Sequence, residues 1–122
     1  MAILTKTIRT LQASTSVAAG ASATSASWTQ LATALGGTVN ATIINGASGP
    51  AVGCDCAVQT SLDGGATWRE YSRQTAPTTG SQAFTFNIPI LPGFPLARVL
   101  FGGHTVQAVT VEAFGAEETS IS

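Results

Sequence analysis

The stretch FTFNIPI, residues 84–90, decides how this chain is read. Phe84, Phe86, Ile88 and Ile90 alternate with Thr85, Asn87 and Pro89, a strict two-residue period. Successive side chains of a strand point to opposite faces, so the pattern gives a strand with one buried and one wet side. A helix would need its apolar residues three and four apart. Pro89 has no N–H to give a neighbouring strand, which puts this one at a sheet edge or ends it there.

The same period recurs on both sides of it. Val39, Ala41 and Ile43 alternate with Thr38, Asn40 and Thr42, and the turn formers NGASGP at 45–50 stop the run. Val52, Cys54, Cys56 and Val58 share a face opposite Gly53, Asp55, Ala57 and Gln59. ARVLF at 97–101 and TVQAVTVEAF at 105–114 follow, joined by Gly102-Gly103-His104, while ILTKTIRTL occupies 3–11. About seven or eight short strands with frequent turns predict an all-β fold, an antiparallel β-sandwich or jelly roll, over alternating βαβ units. Only SWTQLATAL, 27–35, has helical spacing, in Trp28, Leu31 and Leu35; a short helix and a strand-plus-turn fit it equally.

At 122 residues the chain is expected to form one domain. Within it, residues 1–25 read as an extended N-terminal strand and flexible arm, 26–116 as the sandwich body, and 117–122 as a polar tail. The small residues of QASTSVAAGASATSAS, 12–27, bury little area and cannot supply a core of their own. They form either a surface loop or an arm that orders against a neighbouring subunit.

Charged residues make up 9% of the chain, against a usual share of about 25%. Net charge is −1 and the basic residues Lys6, Arg9, Arg69, Arg73 and Arg98 are scattered, which argues against nucleic-acid binding. So little charge gives little self-repulsion and suits a surface that is buried against partners. No apolar run approaches the roughly 18 residues of a membrane helix, and a product made in the cytoplasm is expected rather than one with a cleaved signal peptide. Cys54 and Cys56, two apart, read as buried reduced thiols, because an extended backbone holds them poorly for a relaxed disulfide.

Residues 61–68, SLDGGATW, fit the pattern S-x-D-x-G-x-T-W and resemble the Asp-box, a hairpin signature of sialidase propellers and many other β-proteins. Folding alone explains each position. The Asp63 carboxylate accepts bonds from turn amides, Gly64 and Gly65 supply positive φ, Trp68 starts the returning strand, and Ser61 and Thr67 complete the hairpin motif. The Trp68 ring is expected to be buried. One copy in a chain too short for a propeller reads as a structural hairpin.

No catalytic constellation stands out. His104 lies in a GGHT turn, where exposure is expected, and Cys54, Asp55, Cys56 and His104 lack the second ligand pair of a zinc site. Glu70, between Arg69 and Arg73, reads as a solvated ion pair, although a pairing with Asp63 across the hairpin stays open. Catalytic residues, metal and cofactor are each expected to be none. Phe84 and Phe86 read as core. Phe94, flanked by prolines in LPGFPLAR (91–98), either closes the core or presents an apolar tip for contact.

Small, charge-poor, Ala/Gly/Ser/Thr-rich β-sandwiches with an extended N-terminal segment and one S-x-D-G-G-x-T-W hairpin resemble virion structural proteins of tailed bacteriophages. Capsid decoration (cement) proteins and small tail or baseplate components are the nearest in style. The resemblance implies no enzyme. It implies a homo-oligomer in the virion, held to other copies and to major capsid or tail proteins by many weak contacts. Leu4, Lys6, Ile8 and Phe94 are the candidate contact residues, the first three by adding a strand to a neighbour. The rival is a carbohydrate-binding module that uses exposed Trp28, Trp68 or Tyr71 on a sheet face.

Overall fold

The computed structural model describes the backbone of residues 3–121 and the side chains of 5–119. It contains eight strands: β1 (Ile3–Val17), β2 (Ala23–Thr24), β3 (Gly37–Asn45), β4 (Asp55–Ser61), β5 (Arg69–Thr75), β6 (Ala83–Ile90), β7 (Leu96–Gly102) and β8 (Val109–Ile121). One four-stranded sheet has the order β1-β8-β3-β6 and the other β2-β7-β4-β5, with every pairing antiparallel. Only β4 and β5 are consecutive strands paired within one sheet; the remaining connections leave neighbours non-sequential. This is the strand order of a jelly roll, so of the two expected architectures the chain adopts the second. Among the described residues no helix is long and apolar enough to cross a membrane.

The two-residue period builds the core. Val39, Ala41, Ile43, Ile88, Ile90, Val109, Val111 and Ala113 point inward from one sheet. Cys54, Cys56, Val58, Ala97, Val99 and Phe101 meet them from the other. Phe84 and Phe86 pack against this cluster at the β6 edge, partly buried. Pro89 lies in that edge strand, opposite Thr38 of β3.

Trp28 closes one end of the core and has no exposed surface. The backbone around it is a single 3-10 turn, Thr29–Thr33, with Trp28 bridging to Ala97 of β7. Its indole lies on two glycines of the opposite sheet. A Cβ at Gly115 would come within 2.9 Å of the ring, and one at Gly37 within 2.7 Å. Trp28 Nε1 donates to Glu117 Oε1 (3.2 Å), and Arg9 Nε donates to the same oxygen (2.8 Å). Glu117 is therefore a buried, twice-bonded carboxylate, which is how a charge is tolerated inside a fold.

Several sequence expectations change here. Of residues 1–25, expected as an extended strand and a flexible arm, Ile3–Val17 form one strand paired along β8 with irregularities after Thr10 and Gln12, so the strand runs on into the stretch read as arm. Small side chains do not prevent this, because the ladder is made by backbone. The tail expected at 117–122 continues β8 to Ile121 and contains the buried Glu117. Val52 lies outside β4 and is exposed.

His104, expected at the surface, is fully buried. Its Nε2 lies 3.0 Å from the Val17 carbonyl, an acceptor only, so this nitrogen donates. The Gly20 N–H donates back to the His104 carbonyl (3.0 Å), and together the two bonds pin the end of β1 to the β7–β8 connection.

Candidate functional site

The Asp-box segment forms the β4–β5 hairpin. Asp63 Oδ1 accepts the Thr67 N–H (2.8 Å) and the Ser61 hydroxyl (2.8 Å), while the Gly65 N–H donates to Ser61 Oγ (2.9 Å). Gly64 and Gly65 take φ of +73° and +96°, which a side chain would strain. The Thr67 amide, followed by the Ser61 hydroxyl, holds the Asp63 carboxyl below the usual carboxylate range. An acceptor so occupied, and so readily ionised, suits a turn and not a proton donor. A depression of about 290 Å³ beside it is lined by Thr60, Leu62, Asp63, Thr67, Arg69 and Phe94.

Trp68 departs from expectation. It is half-buried on the outside of the β2-β7-β4-β5 sheet, with the Arg98 guanidinium 4.2 Å from its ring centroid. Arg98 also donates to Gln59 Oε1 (2.8 Å). Along the same outer face Arg73 bridges Asp55 (2.7 Å) and Glu70 (2.7 Å), and Thr75 donates to Asp55 (2.6 Å). The Glu70 ion pair read from sequence is present, with Arg73 as its partner. This face is cross-linked to itself.

Phe94 is half-buried, its ring edge-on to Tyr71 with centroids 5.2 Å apart. It closes the core margin, and the exposed apolar residue of that loop is Leu91. Tyr71 donates to the Pro89 carbonyl (3.1 Å), tying β5 of one sheet to β6 of the other. Trp28 is buried, which removes it from any external face. Cys54 and Cys56 are free and buried; burial pushes their thiols up to about 11 and about 12, so both stay neutral and poorly nucleophilic. Among the described residues no group of three or more His, Cys, Asp or Glu could hold a metal ion.

The outer face of the β1-β8-β3-β6 sheet differs from all of this. Its registers align outward side chains in rows that cross the strands. Thr10, Phe114, Asn40 and Asn87 form one row, and Ile8, Ala116, Thr38 and Pro89 the next. Asn40 Nδ2 donates to Asn87 Oδ1 (2.7 Å), and the Thr42 and Thr85 hydroxyls are 3.1 Å apart. Ile8 is 73% exposed and, with Asn40, Phe114 and Ala116, lines a shallow apolar hollow of about 350 Å³. Charges stay toward the ends, with Lys6 opposite Glu118 and Glu112 opposite Thr42.

Of the candidate contact residues, Lys6 and Ile8 lie on this face, Phe94 does not, and the Leu4 side chain falls outside the described residues. Sequence reasoning missed Phe114, Ala116, Asn40 and Asn87 as members of one surface. Their alternation was visible, but the strand order that makes them neighbours was not.

No family model matches the chain, and no curated protein matches it. Solved structures do resemble it in fold. One is the K3 cleaved adhesin domain of Lys-gingipain from Porphyromonas gingivalis w83, at 10% identity and a TM-score of 0.51 over 79% of this chain; this chain spans 63% of that one. A family 16 carbohydrate binding module is 15% identical over 88% of this chain and 74% of its own, with a TM-score of 0.48. A mitogen derived from Yersinia pseudotuberculosis is 10% identical over 93% and 85%, also at 0.48. At such identities the likeness to the adhesin domain is one of fold alone.

Proposed function

We propose that this chain is a non-enzymatic structural protein of a tailed-phage virion, most concretely a decoration protein that holds a shell together through many protein contacts. The observation that carries the reading is the charge-poor outer face of the β1-β8-β3-β6 sheet, with Ile8 exposed and Phe114 half-buried between rows of Asn and Thr. Elsewhere the groups that would do acid–base work are engaged: Asp63 in its turn, Asp55 and Glu70 by Arg73, Glu117 by Trp28 and Arg9. A flat face with few charges loses little solvation when a partner covers it, and weak contacts repeated over a lattice add up. A tail or baseplate component would use the same face in the same way, with different neighbours. The jelly roll itself serves capsid and lectin domains alike, so the reading rests on the face and the composition.

The test is co-sedimentation of the purified chain with separated phage heads and tails, repeated with Phe114→Asp. Binding to heads that Phe114→Asp abolishes supports decoration, and binding to tails moves the assignment to the tail. Binding to neither rejects a virion role.

A second reading is a carbohydrate-binding module, favoured by the Asn40–Asn87 amides beside the Phe114 ring. Amides and a ring are the groups that recognise sugar hydroxyls and sugar ring faces. A glycan array with signals lost in both Phe114→Ala and Asn87→Ala would establish it.

A further inference from the structure

We infer that the free edge of β1, over residues 6–10, is a pairing site for a second copy of this chain, the two strands running antiparallel about a two-fold axis centred on Ile8. The basis is a difference among the four sheet edges. A strand edge presents unpaired N–H and C=O groups, and proteins blunt such edges with short strands, charge, proline or bulges. β2 is two residues long. β5 carries Arg69, Glu70 and Arg73, and its pairing with β4 is irregular after Val58. β6 carries Pro89.

β1 is the longest strand in the molecule, and only its second half is covered. There the Leu11 carbonyl accepts the Ala26 N–H (3.1 Å) and the Val17 carbonyl accepts His104 Nε2. Among the described residues nothing bonds the outer side of the backbone from Ile3 to Thr10. Every second residue of that stretch turns its N–H and C=O away from β8.

Charge and apolar exposure select the partner and the register. β1 has two charges. Arg9 is turned to Glu117, and Lys6 lies opposite Glu118 of β8. An axis through residue 6 or residue 9 would set like charges directly against each other, which disfavours pairing. An axis through Ile8 places Lys6 opposite Thr10 of the second copy and brings the two Ile8 side chains together. Ile8 is the most exposed apolar residue of the sheet face, together with Ala116 and Phe114 it lines the hollow there, and a second Ile8 extends that apolar strip across the axis. The product is one continuous eight-stranded sheet. A two-fold axis makes this closed and self-complementary, which a single open edge needs if it is not to grow into a fibre.

The inference rests on the assembly reading above only in taking another copy as partner. The test combines light scattering over a concentration series with amide hydrogen exchange across residues 6–10. Controls are Ile8→Lys and Leu62→Lys, two exposed apolar positions of which only the first is on the edge. The expected result is a concentration-dependent dimer in which alternate amides of 6–10 exchange slowly. Ile8→Lys should weaken it by about tenfold or more, equivalent to about 1.4 kcal/mol, and Leu62→Lys should leave it unchanged.

A chain that stays monomeric, a dimer indifferent to Ile8→Lys, or a dimer whose 6–10 amides exchange as in the monomer would each overturn the inference. Exchange is measured on the unaltered chain, so it decides even if a variant loses its fold. A monomer that still binds phage particles removes the pairing and leaves the assembly reading; a dimer that binds none does the reverse.

Discussion

The two tryptophans mark two corners of this molecule built by opposite means. Trp28 is fully enclosed: its ring lies on backbone at Gly115 and Gly37, and its N–H is held by a buried carboxylate. Trp68 begins the return of a hairpin and stays half outside, with the Arg98 guanidinium over its ring. The first corner depends on shape, since residues far apart in sequence must leave a slot one indole thick. The second depends on local hydrogen bonds, nearly all of them within the eight residues from Ser61 to Trp68. Damage to the first should therefore spread through both sheets, and damage to the second should stay at one end.

The largest effect is expected from Trp28→Ala, which empties the slot and leaves Glu117 with one partner fewer. A loss of about 3–5 kcal/mol is expected, read as a fall in the urea midpoint with the slope unchanged. Next comes Gly115→Ala. Its new methyl would overlap the indole, and overpacking of this kind costs about 1–3 kcal/mol, with a change in Trp28 fluorescence to show that the ring has moved. A Gly115→Ala variant as stable as the parent would break the contrast, because the slot would then be compliant.

At the hairpin, Asp63→Asn should cost less than either, and the loss should depend on pH. The folded state holds the Asp63 carboxyl below its ordinary value, so its contribution is complete above about pH 4 and disappears as pH falls through the folded value. The parent and Asp63→Asn should therefore differ in urea midpoint at pH 7 and converge toward pH 2. The smallest effect is expected from Arg98→Ala, about 0.5–1 kcal/mol for a guanidinium over an indole at a wet site. High salt should shrink it.

How far the sequence foretold these corners follows from the same distinction. FTFNIPI, the Val39–Ile43 alternation and the strand count led to the right fold class because period two is a local signal. The hairpin was legible for the same reason, its bonds lying within one short motif. Of the two tryptophans, Trp68 was expected to bury its ring, and the enclosure of Trp28 was not foreseen. Nothing near Trp28 in the chain announces that Gly115 and Gly37 will leave room for it, and an Asp-box tryptophan looks like a core residue until Arg98 is found above it. Glu117 was read as tail for a like reason, since its two donors are Trp28 and Arg9. The outer face of the β1-β8-β3-β6 sheet was half legible: Ile8 could be named, but Phe114 and Asn40 become its neighbours only through the crossovers of the jelly roll.

The pairing of Ile3 with Ile121 has a practical consequence for anyone handling this protein. Paired backbones in an antiparallel ladder lie about 5 Å apart, so a fusion joined directly at Ile3 or at Ile121 would emerge at the same pole of the sheet. A purification tag joined at Ile3 would begin on the outermost strand, and one joined at Ile121 would begin a single strand-width away. Self-association should be measured on tag-free material, and a bulky fusion makes a ready steric blocker when the single-chain form is wanted.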